Sequence, residues 1–360
     1  MILAIETSCD DSAVAILDME GKIIASEISS QIKFHEKFGG VVPEIASRKH
    51  LETLPLLIRS VFEEHSLDIH DFTAVAVTAA PGLIGSLLVG VSYAKTLAWM
   101  ADIPVIPVDH LEGHLLAPFL DCPDLKFPYL SLIASGGHTH LIVAKGIGDY
   151  QLLGKTMDDA AGEAFDKVAK MLGFKYPGGP IVDQLAQGFA APNIPFPIPL
   201  KGKKGLNFSF SGLKTAVRNV ALAQEIYVEK KVLRDLKDFE EDPDKEKKFK
   251  IRNVCASFQQ TMAQIIYERI KKALDQTGLK RFTITGGVAA NQGIRNRLSQ
   301  LAKSRGIEFY YPTPRHCTDN AAMIAYAGLQ HYKKNPESFT LDLKLSPSSK
   351  SPLSLMDVTE

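Results

Sequence analysis

Two short apolar runs, each doubling back through a polar turn, constrain the fold of this chain more than any other feature of its sequence. The run Ile2 to Ile5 is followed by Glu6, Thr7, Ser8, Cys9, Asp10, Asp11 and Ser12, then by a second run from Ala13 to Leu17. Apolar runs of that length bounded by turn residues read as strands, so a β-hairpin with an acidic tip is expected. Near residue 130 the plan returns, with Tyr129 to Ala134, a turn of Ser135, Gly136, Gly137, His138 and Thr139, and a return strand from His140 to Ala144. A supersecondary unit repeated within one chain points to a duplicated architecture. A third polar turn, Gly286, Gly287, Val288, Ala289, Ala290 and Asn291, follows a strand expected at Phe282 to Thr285 and precedes a helical stretch from about Ile294 to Ala302.

Between the hairpins, apolar residues at three- and four-residue spacings predict helices over about Glu44 to Glu64 and Gly85 to Met100, with strands near Ala74 to Thr78 and Val105 to Val108. Strands alternating with helices indicate an α/β fold with ligands bound at strand ends. A length of 360 residues calls for more than one domain. The mixed-charge stretch from about Ala223 to Arg252 reads as an exposed helical insertion, and the Ser- and Pro-rich stretch after about Pro336 as a mobile tail. No apolar run is read as long enough to span a bilayer and the N-terminus lacks the basic flank of a signal peptide, so a cytoplasmic protein is expected. Cys9, Cys122, Cys255 and Cys317 lack CxxC spacing and are expected to be reduced and buried.

His110 and His114 stand four apart, a spacing that puts both imidazoles on one face of a helix and lets them share a metal ion. The zinc-protease pattern requires Glu directly after the first His, where this chain has Leu111. Glu112, two residues on, lies about 200° round a helix and cannot aim at a shared ion. A third ligand is needed, and Asp319, in Arg315-His316-Cys317-Thr318-Asp319-Asn320, is a candidate oxygen donor for Fe(II) or zinc. Three Gly-Gly turns (Gly136-Gly137, Gly178-Gly179, Gly286-Gly287) offer backbone N–H groups to phosphate. No Walker A loop explains them, because Gly154-Lys155-Thr156 lacks the earlier glycine in register.

The 41 basic and 41 acidic side chains balance, which argues against a generally basic surface. Lys201 to Arg218 nevertheless carries five cations and no acid, with Phe208 and Phe210 interleaved, a pattern suited to phosphates and stacked bases. Lys33 to His50 is a second basic, glycine-bearing stretch.

Taken together, Glu6-Thr7-Ser8-Cys9-Asp10, Phe38-Gly39-Gly40-Val41-Val42-Pro43-Glu44, Pro81-Gly82-Leu83, His110 through His114, Ser135-Gly136-Gly137-His138-Thr139, Gly286 through Asn291 and Thr318-Asp319-Asn320 occur in the order of one family. The chain resembles bacterial-type tRNA N6-adenosine threonylcarbamoyltransferases, once described as O-sialoglycoprotein endopeptidases, from about Met1 to His331. The resemblance implies an actin-like, sugar kinase-like and Hsp70-like ATPase fold with two lobes around a nucleotide and metal cleft. Residues 1–115 with about 316–336 would form one lobe, 116–315 the other with its insertion at 223–252, and 337–360 the tail. The implied reaction moves the threonylcarbamoyl group of threonylcarbamoyl-AMP to N6 of the adenosine beside the anticodon in tRNAs reading codons that begin with A, releasing AMP.

Residue by residue, His110, His114 and Asp319 match the family's metal ligands, with iron the usual ion and zinc the alternative. Ile133, Ala134, Ser135, Gly136, Gly137, Asp166, Gly179, Asp183 and Asn291 match positions that hold the adenylate. Asp10 matches the acidic residue near the reacting centre, and Asp11 stands where the family usually has Glu. The implied partners are tRNA, a catalytically degenerate paralogue of the same fold and a small P-loop ATPase, with no membrane. The rival readings are a metalloprotease, which the position of Glu112 opposes, and a nucleotide-dependent scaffold, which would have no use for the His pair.

Overall fold

The first apolar run forms β1 (Ile2–Glu6) and the next β2 (Asp11–Leu17), antiparallel with Ile5 opposite Val14. They join β3 (Ile23–Ser30), β4 (Ala74–Ala80) and β5 (Val105–Asp109) in a sheet of order β3-β2-β1-β4-β5, with β4 parallel to β1 and β5 parallel to β4. The second hairpin forms β6 (Tyr129–Ala134) and β7 (Thr139–Gly146), with Ile133 opposite His140. With β8 (Asp149–Lys155), β9 (Arg281–Thr285) and β10 (Glu308–Tyr310) it makes a sheet of order β10-β9-β6-β7-β8, β9 lying parallel to β6 and β10 parallel to β9. Counted from β8, the second sheet repeats the strand order of the first. Every residue of β1 and β6 is buried, which is why these strands read as nearly continuous apolar runs and not as alternating ones.

The computed structural model describes residues 1–228 and 234–355. They divide into two units, one of Met1–Leu125, Lys145–Tyr150 and the described residues from Pro312 on, the other of Lys126–Ala144 and Gln151–Tyr311. In the first unit the helices Pro43–His65, Ile84–Ala101, His110–Leu116 and Ala321–Lys334 accompany the sheet. Ile84–Ala101 is long and apolar enough by composition to cross a bilayer, which corrects the reading that no run reaches that length. One face of it is packed on the sheet: its Val89, Val91, Ala94 and Ala98 are buried in one cluster with Leu3, Ile5, Val75 and Val77, while Ile84, Leu88, Trp99 and Met100 are exposed.

The expected mobile tail is also corrected. From Thr340 to Leu353 the chain is docked on the first unit: Val105 N donates to Thr340 O at 3.2 Å and Ser348 N to Ala79 O at 2.8 Å. Leu341 and Leu345 pack on the core cluster and Leu353 is buried. Leu341, Leu343 and Leu345 alternate with Asp342 and Lys344, but that run is short and the Ser and Pro content of the residues after it dominates the reading. Residues 356–360 lie outside those described.

The second unit carries the helices Ala161–Met171, Gly178–Ala186, Ser211–Ala223, Lys245–Thr277 and Gln292–Arg305. The described part of the charged stretch carries helices and is largely exposed or half-buried, as expected, but it is also anchored. Phe239, in the short helix Leu236–Glu241, is fully buried edge-on against Phe174, and the Arg234 guanidinium lies 5.0 Å from both ring centres. Lys245 to Arg252 are the opening turns of a 33-residue helix whose later residues are largely buried. Residues 229–233 of the same stretch lie outside those described. Among the cysteines, Cys255 and Cys317 are buried, whereas Cys9 and Cys122 are partly exposed.

His140, on β7, gives the second unit a pH dependence. Burial, with the Lys155 charge adding to it, lowers its imidazole to about 4. The unfolded chain takes up that proton near pH 6.5 while the folded chain does not, so the stability present above pH 6.5 is lost as pH falls towards 4, by up to ~3 kcal/mol. Urea unfolding midpoints are expected to drop across that window, and H140Q to flatten the drop. An equal drop in H140Q would assign it to other groups.

Candidate metal centre and substrate loops

Asp109 starts the helix His110–Leu116 by accepting through Oδ1 from the amides of Leu111 at 2.8 Å and Glu112 at 3.3 Å. The helix then places His110 and His114 one turn apart, ring centres 4.7 Å from each other. Asp319 lies just ahead of the helix Ala321–Lys334, which Asn320 caps through Met323 N at 2.9 Å. Asp319 Oδ1 is 3.0 Å from His114 Nε2 and 3.4 Å from His110 Nε2. The ligand atoms of the three residues all lie within 4.8 Å of one another. Glu112 faces elsewhere, accepting from Tyr150 Oη at 2.6 Å and lying 2.9 Å from His331 Nε2.

Behind His110 stands a residue to which the sequence reading gave no role. Glu6, at the end of β1 and fully buried, holds His110 Nδ1 at 2.9 Å, with Ser8 Oγ on the same nitrogen at 3.1 Å. Its carboxylate also accepts from Thr78 Oγ1 at 2.6 Å and from Ser8 N. A carboxylate on one imidazole nitrogen fixes the tautomer and aims the other nitrogen, the usual support of a metal-binding histidine. The only sequence signal for it was its place in the Glu-Thr-Ser-Cys-Asp turn.

Two nitrogens and one carboxylate oxygen suit Fe(II) or zinc and leave coordination positions open. The electrostatics agree with a cation site. Burial pushes the Glu6 and Asp319 carboxyls up, but the neighbouring imidazoles overcome it and hold both below the usual range. Burial opposes charge on His110, yet Asp319 and Glu6 on its two sides push it well above the ordinary value. Replacing Glu6 by Gln is expected to weaken cation binding 10- to 100-fold in calorimetric titration of metal-stripped protein; unchanged affinity would remove Glu6 from the site.

The β1–β2 tip carries Asp10 and Asp11 in the same unit. Asp10 is nearly buried, and burial, with the Asp319 charge adding to it, raises its carboxyl. Asp11 is raised further, to about 7, by burial first and then by Asp10, Asp319 and Glu6. Gly82 of the Pro81-Gly82-Leu83 turn packs against this tip so closely that a Cβ there would stand 2.6 Å from Ser8 O.

In the second unit the residues read as adenylate-binding form one connected set. Ser135 N donates to His138 O at 2.9 Å and closes the β6–β7 turn, leaving Gly136 and Gly137 exposed with open space where a Cβ would stand. Gly286, at φ +85°, passes directly over the Ala134 carbonyl, an approach that tolerates no side chain. The turn after Ile133 and Ala134 and the turn ending at Asn291 therefore lie side by side at the ends of β6 and β9. Asp166 Oδ1 accepts from Gly178 N at 2.7 Å, fixing the Gly178-Gly179 helix start, and Asp183 accepts from Gln292 N at 3.2 Å. Asn291 caps its helix through Ile294 N at 2.9 Å and reaches Gln259 Oε1 at 3.4 Å. Asp166 and Asn291 thus shape the loops with the same atoms that the sequence reading offered to ligand.

Residues 22–326 match the family model described as TsaD, tRNA N6-adenosine threonylcarbamoyltransferase. The chain belongs to the TsaD family. Among solved structures it is similar to HypF of T. kodakarensis (12% identity, TM-score 0.58, covering 92% of this chain and 48% of that one). It is also similar to full-length HypF in a phosphate- and nucleotide-bound form (15%, 0.57, 93% and 55%) and to component A of the Acidaminococcus fermentans (R)-2-hydroxyglutaryl-CoA dehydratase (15%, 0.52, 93% and 98%). The chain spans about half the length of the HypF proteins. At these identities the likeness concerns the fold, which is that of actin-like ATPases and sugar kinases, as the family resemblance implied; the repeated sheet order agrees with the duplication read from the hairpins.

The TsaD family acts on tRNA, and the two basic segments present less surface to it than their sequences suggest. Phe208 and Phe210 are fully buried and cannot stack on bases, Lys214 is paired with Asp159, and Arg218 lies over Tyr227 at 5.4 Å. Lys201, Lys203 and Lys204 remain exposed on a loop whose carbonyls are held by Arg269 and Lys272. In the other segment His35 and His50 are buried, His50 between Ser12 Oγ at 2.7 Å and Cys9 O at 3.0 Å, while Lys33, Phe34 and Phe38 are exposed.

Proposed function

We propose that this TsaD-family protein transfers the threonylcarbamoyl group of threonylcarbamoyl-AMP to N6 of the adenosine beside the anticodon in tRNAs reading codons that begin with A, in the cytoplasm, with a cation bound by His110, His114 and Asp319. The observation that carries the reading is the convergence of two Nε2 atoms and one carboxylate oxygen on one point, in a chain of this family. Iron is the proposed ion and zinc the alternative, since both accept this donor set. A cation held there would supply Lewis acidity towards phosphate or carbonyl oxygen.

The chain's own residues have the following parts. The open Gly136 and Gly137 turn, flanked by Ile133, Ala134 and Ser135, takes the phosphate through backbone N–H groups, and Gly179, Asp183 and the loops shaped by Asp166 and Asn291 take the ribose and base. The adenosine N6 attacks the carbamoyl carbon, the bond from that carbon to the phosphate oxygen breaks, and AMP leaves with the electron pair. Asp10 accepts the proton that N6 releases. A base in an anticodon loop is unstacked more easily than one in a duplex, and its approach rests on phosphate contacts and stacking. A degenerate paralogue and a small P-loop ATPase are the proposed protein partners.

The test is mass spectrometry of nucleosides from tRNA incubated with threonylcarbamoyl-AMP, this protein and those partners: N6-threonylcarbamoyladenosine is expected, and its absence would refute the reading. For the tRNA surface, K203E/K204E is expected to weaken tRNA binding and to reduce the slope of log affinity against log salt by about 1.5 to 2. An unchanged slope in filter binding would take this loop out of the interface.

A further inference from the structure

The docked C-terminal segment lies beyond the residues matched by the family model, and its contacts converge on the start of the helix that carries His110 and His114. After Thr340 O accepts from Val105 N at the first residue of β5, Leu345 O accepts from Lys95 Nζ at 3.1 Å. Ser348 N then bonds Ala79 O near the end of β4. The segment ends on Ser351, which is fully buried. Leu353 N donates to Ser351 Oγ at 2.9 Å, so the hydroxyl's one proton is left to donate to Asp109 Oδ2. Asp109 is the last residue of β5 and the N-cap of the ligand helix: its Oδ1 takes the amides of Leu111 and Glu112 while Oδ2 takes Ser351.

We infer that Thr340 to Leu353 is a strap whose Ser351 hydroxyl is a positioning group for the metal-binding helix, acting through Asp109. A carboxylate bonded at both oxygens is held in one rotamer, and that rotamer sets where the helix begins, one residue before His110. A hydroxyl is required because the side chain must accept from Leu353 N and donate to Asp109 together, which Thr can do and Ala cannot. The cation-affinity part of this inference rests on the function proposed above; the part concerning the helix start does not.

The experiment compares full-length wild type, S351A and S351T by hydrogen exchange of the Leu111 and Glu112 amides and by calorimetric titration of stripped protein with zinc. S351A is expected to exchange those amides about five- to tenfold faster, in keeping with a weakened N-cap, and to bind zinc about tenfold more weakly, with S351T close to wild type on both. Thermal melts of the three proteins show whether any loss is general, since a merely structural role would lower the melting temperature and leave zinc affinity untouched. Wild-type exchange at Leu111 and Glu112 in S351A overturns the inference, as does zinc affinity equal to wild type. A wild type that binds no zinc, with S351A still exchanging faster, would refute the cation reading and leave the helix-positioning role standing.

Discussion

His114→Ala is expected to lower threonylcarbamoyl transfer about 10³-fold, roughly 4 kcal/mol of transition-state stabilisation, while the protein stays folded. The size follows from the ligand count: the site has two nitrogens and one oxygen within 4.8 Å, and the substitution leaves one nitrogen and one oxygen. The fold should survive because His114 gives little to the interior beyond its bulk. Its Nδ1 has no partner among the described residues, so truncation strands no hydrogen-bonded group on that side. Asp319 keeps its contact with His110 Nε2, and His110 keeps Glu6. Metal analysis, a thermal melt and a transfer assay on the same preparation check the three parts together. Wild-type transfer by a metal-free His114→Ala protein would remove the metal centre from the mechanism.

Asp10→Asn is expected to lower kcat by 10² to 10⁴ with little change in the KM for tRNA, the effect of removing a general base without changing its shape. Burial raises the Asp10 carboxyl, and only its ionised form can take the N6 proton. Transfer should therefore rise with pH through the Asp10 titration in the wild type, and that acid limb should vanish in Asp10→Asn. Asp11 is the natural competitor, because burial and the carboxylates of Asp10, Asp319 and Glu6 bring it to about 7, close to the operating pH. An acid limb near pH 7 that disappears in Asp11→Asn and persists in Asp10→Asn would transfer the role to its neighbour.

The sequence exposed those parts of the molecule whose cause is local. The doubled hairpins were legible because β1 and β6 are buried along their whole length and each returns through a turn of polar residues. His110 and His114 were legible because one helical turn fixes their relation. Asp319 is 205 residues from His114 along the chain, and no spacing rule connects them; the polar cluster around it made it a candidate, and family resemblance was needed to join it to the His pair. Glu6 was hidden because a buried carboxylate behind an imidazole looks, in sequence, like one more turn residue. The basic stretch misled for the converse reason: Phe208 and Phe210 alternate with polar residues equally well whether they face a nucleic acid or the core, and they face the core. The tail was misread because the short Leu341-Leu343-Leu345 alternation is outweighed by the Ser and Pro residues that follow it, and only tertiary structure shows that Leu341 and Leu345 pack on the core and that Leu353 is buried.

The proposed modification of tRNA depends on a cation held by His110, His114 and Asp319. Its most direct test is the yield of N6-threonylcarbamoyladenosine, quantified by nucleoside mass spectrometry, from chelator-stripped protein before and after titration with Fe(II) or zinc. At least a hundredfold gain is expected on reloading the wild type and none on reloading His114→Ala. Equal yields from stripped and reloaded wild type, or full recovery in His114→Ala, would contradict it.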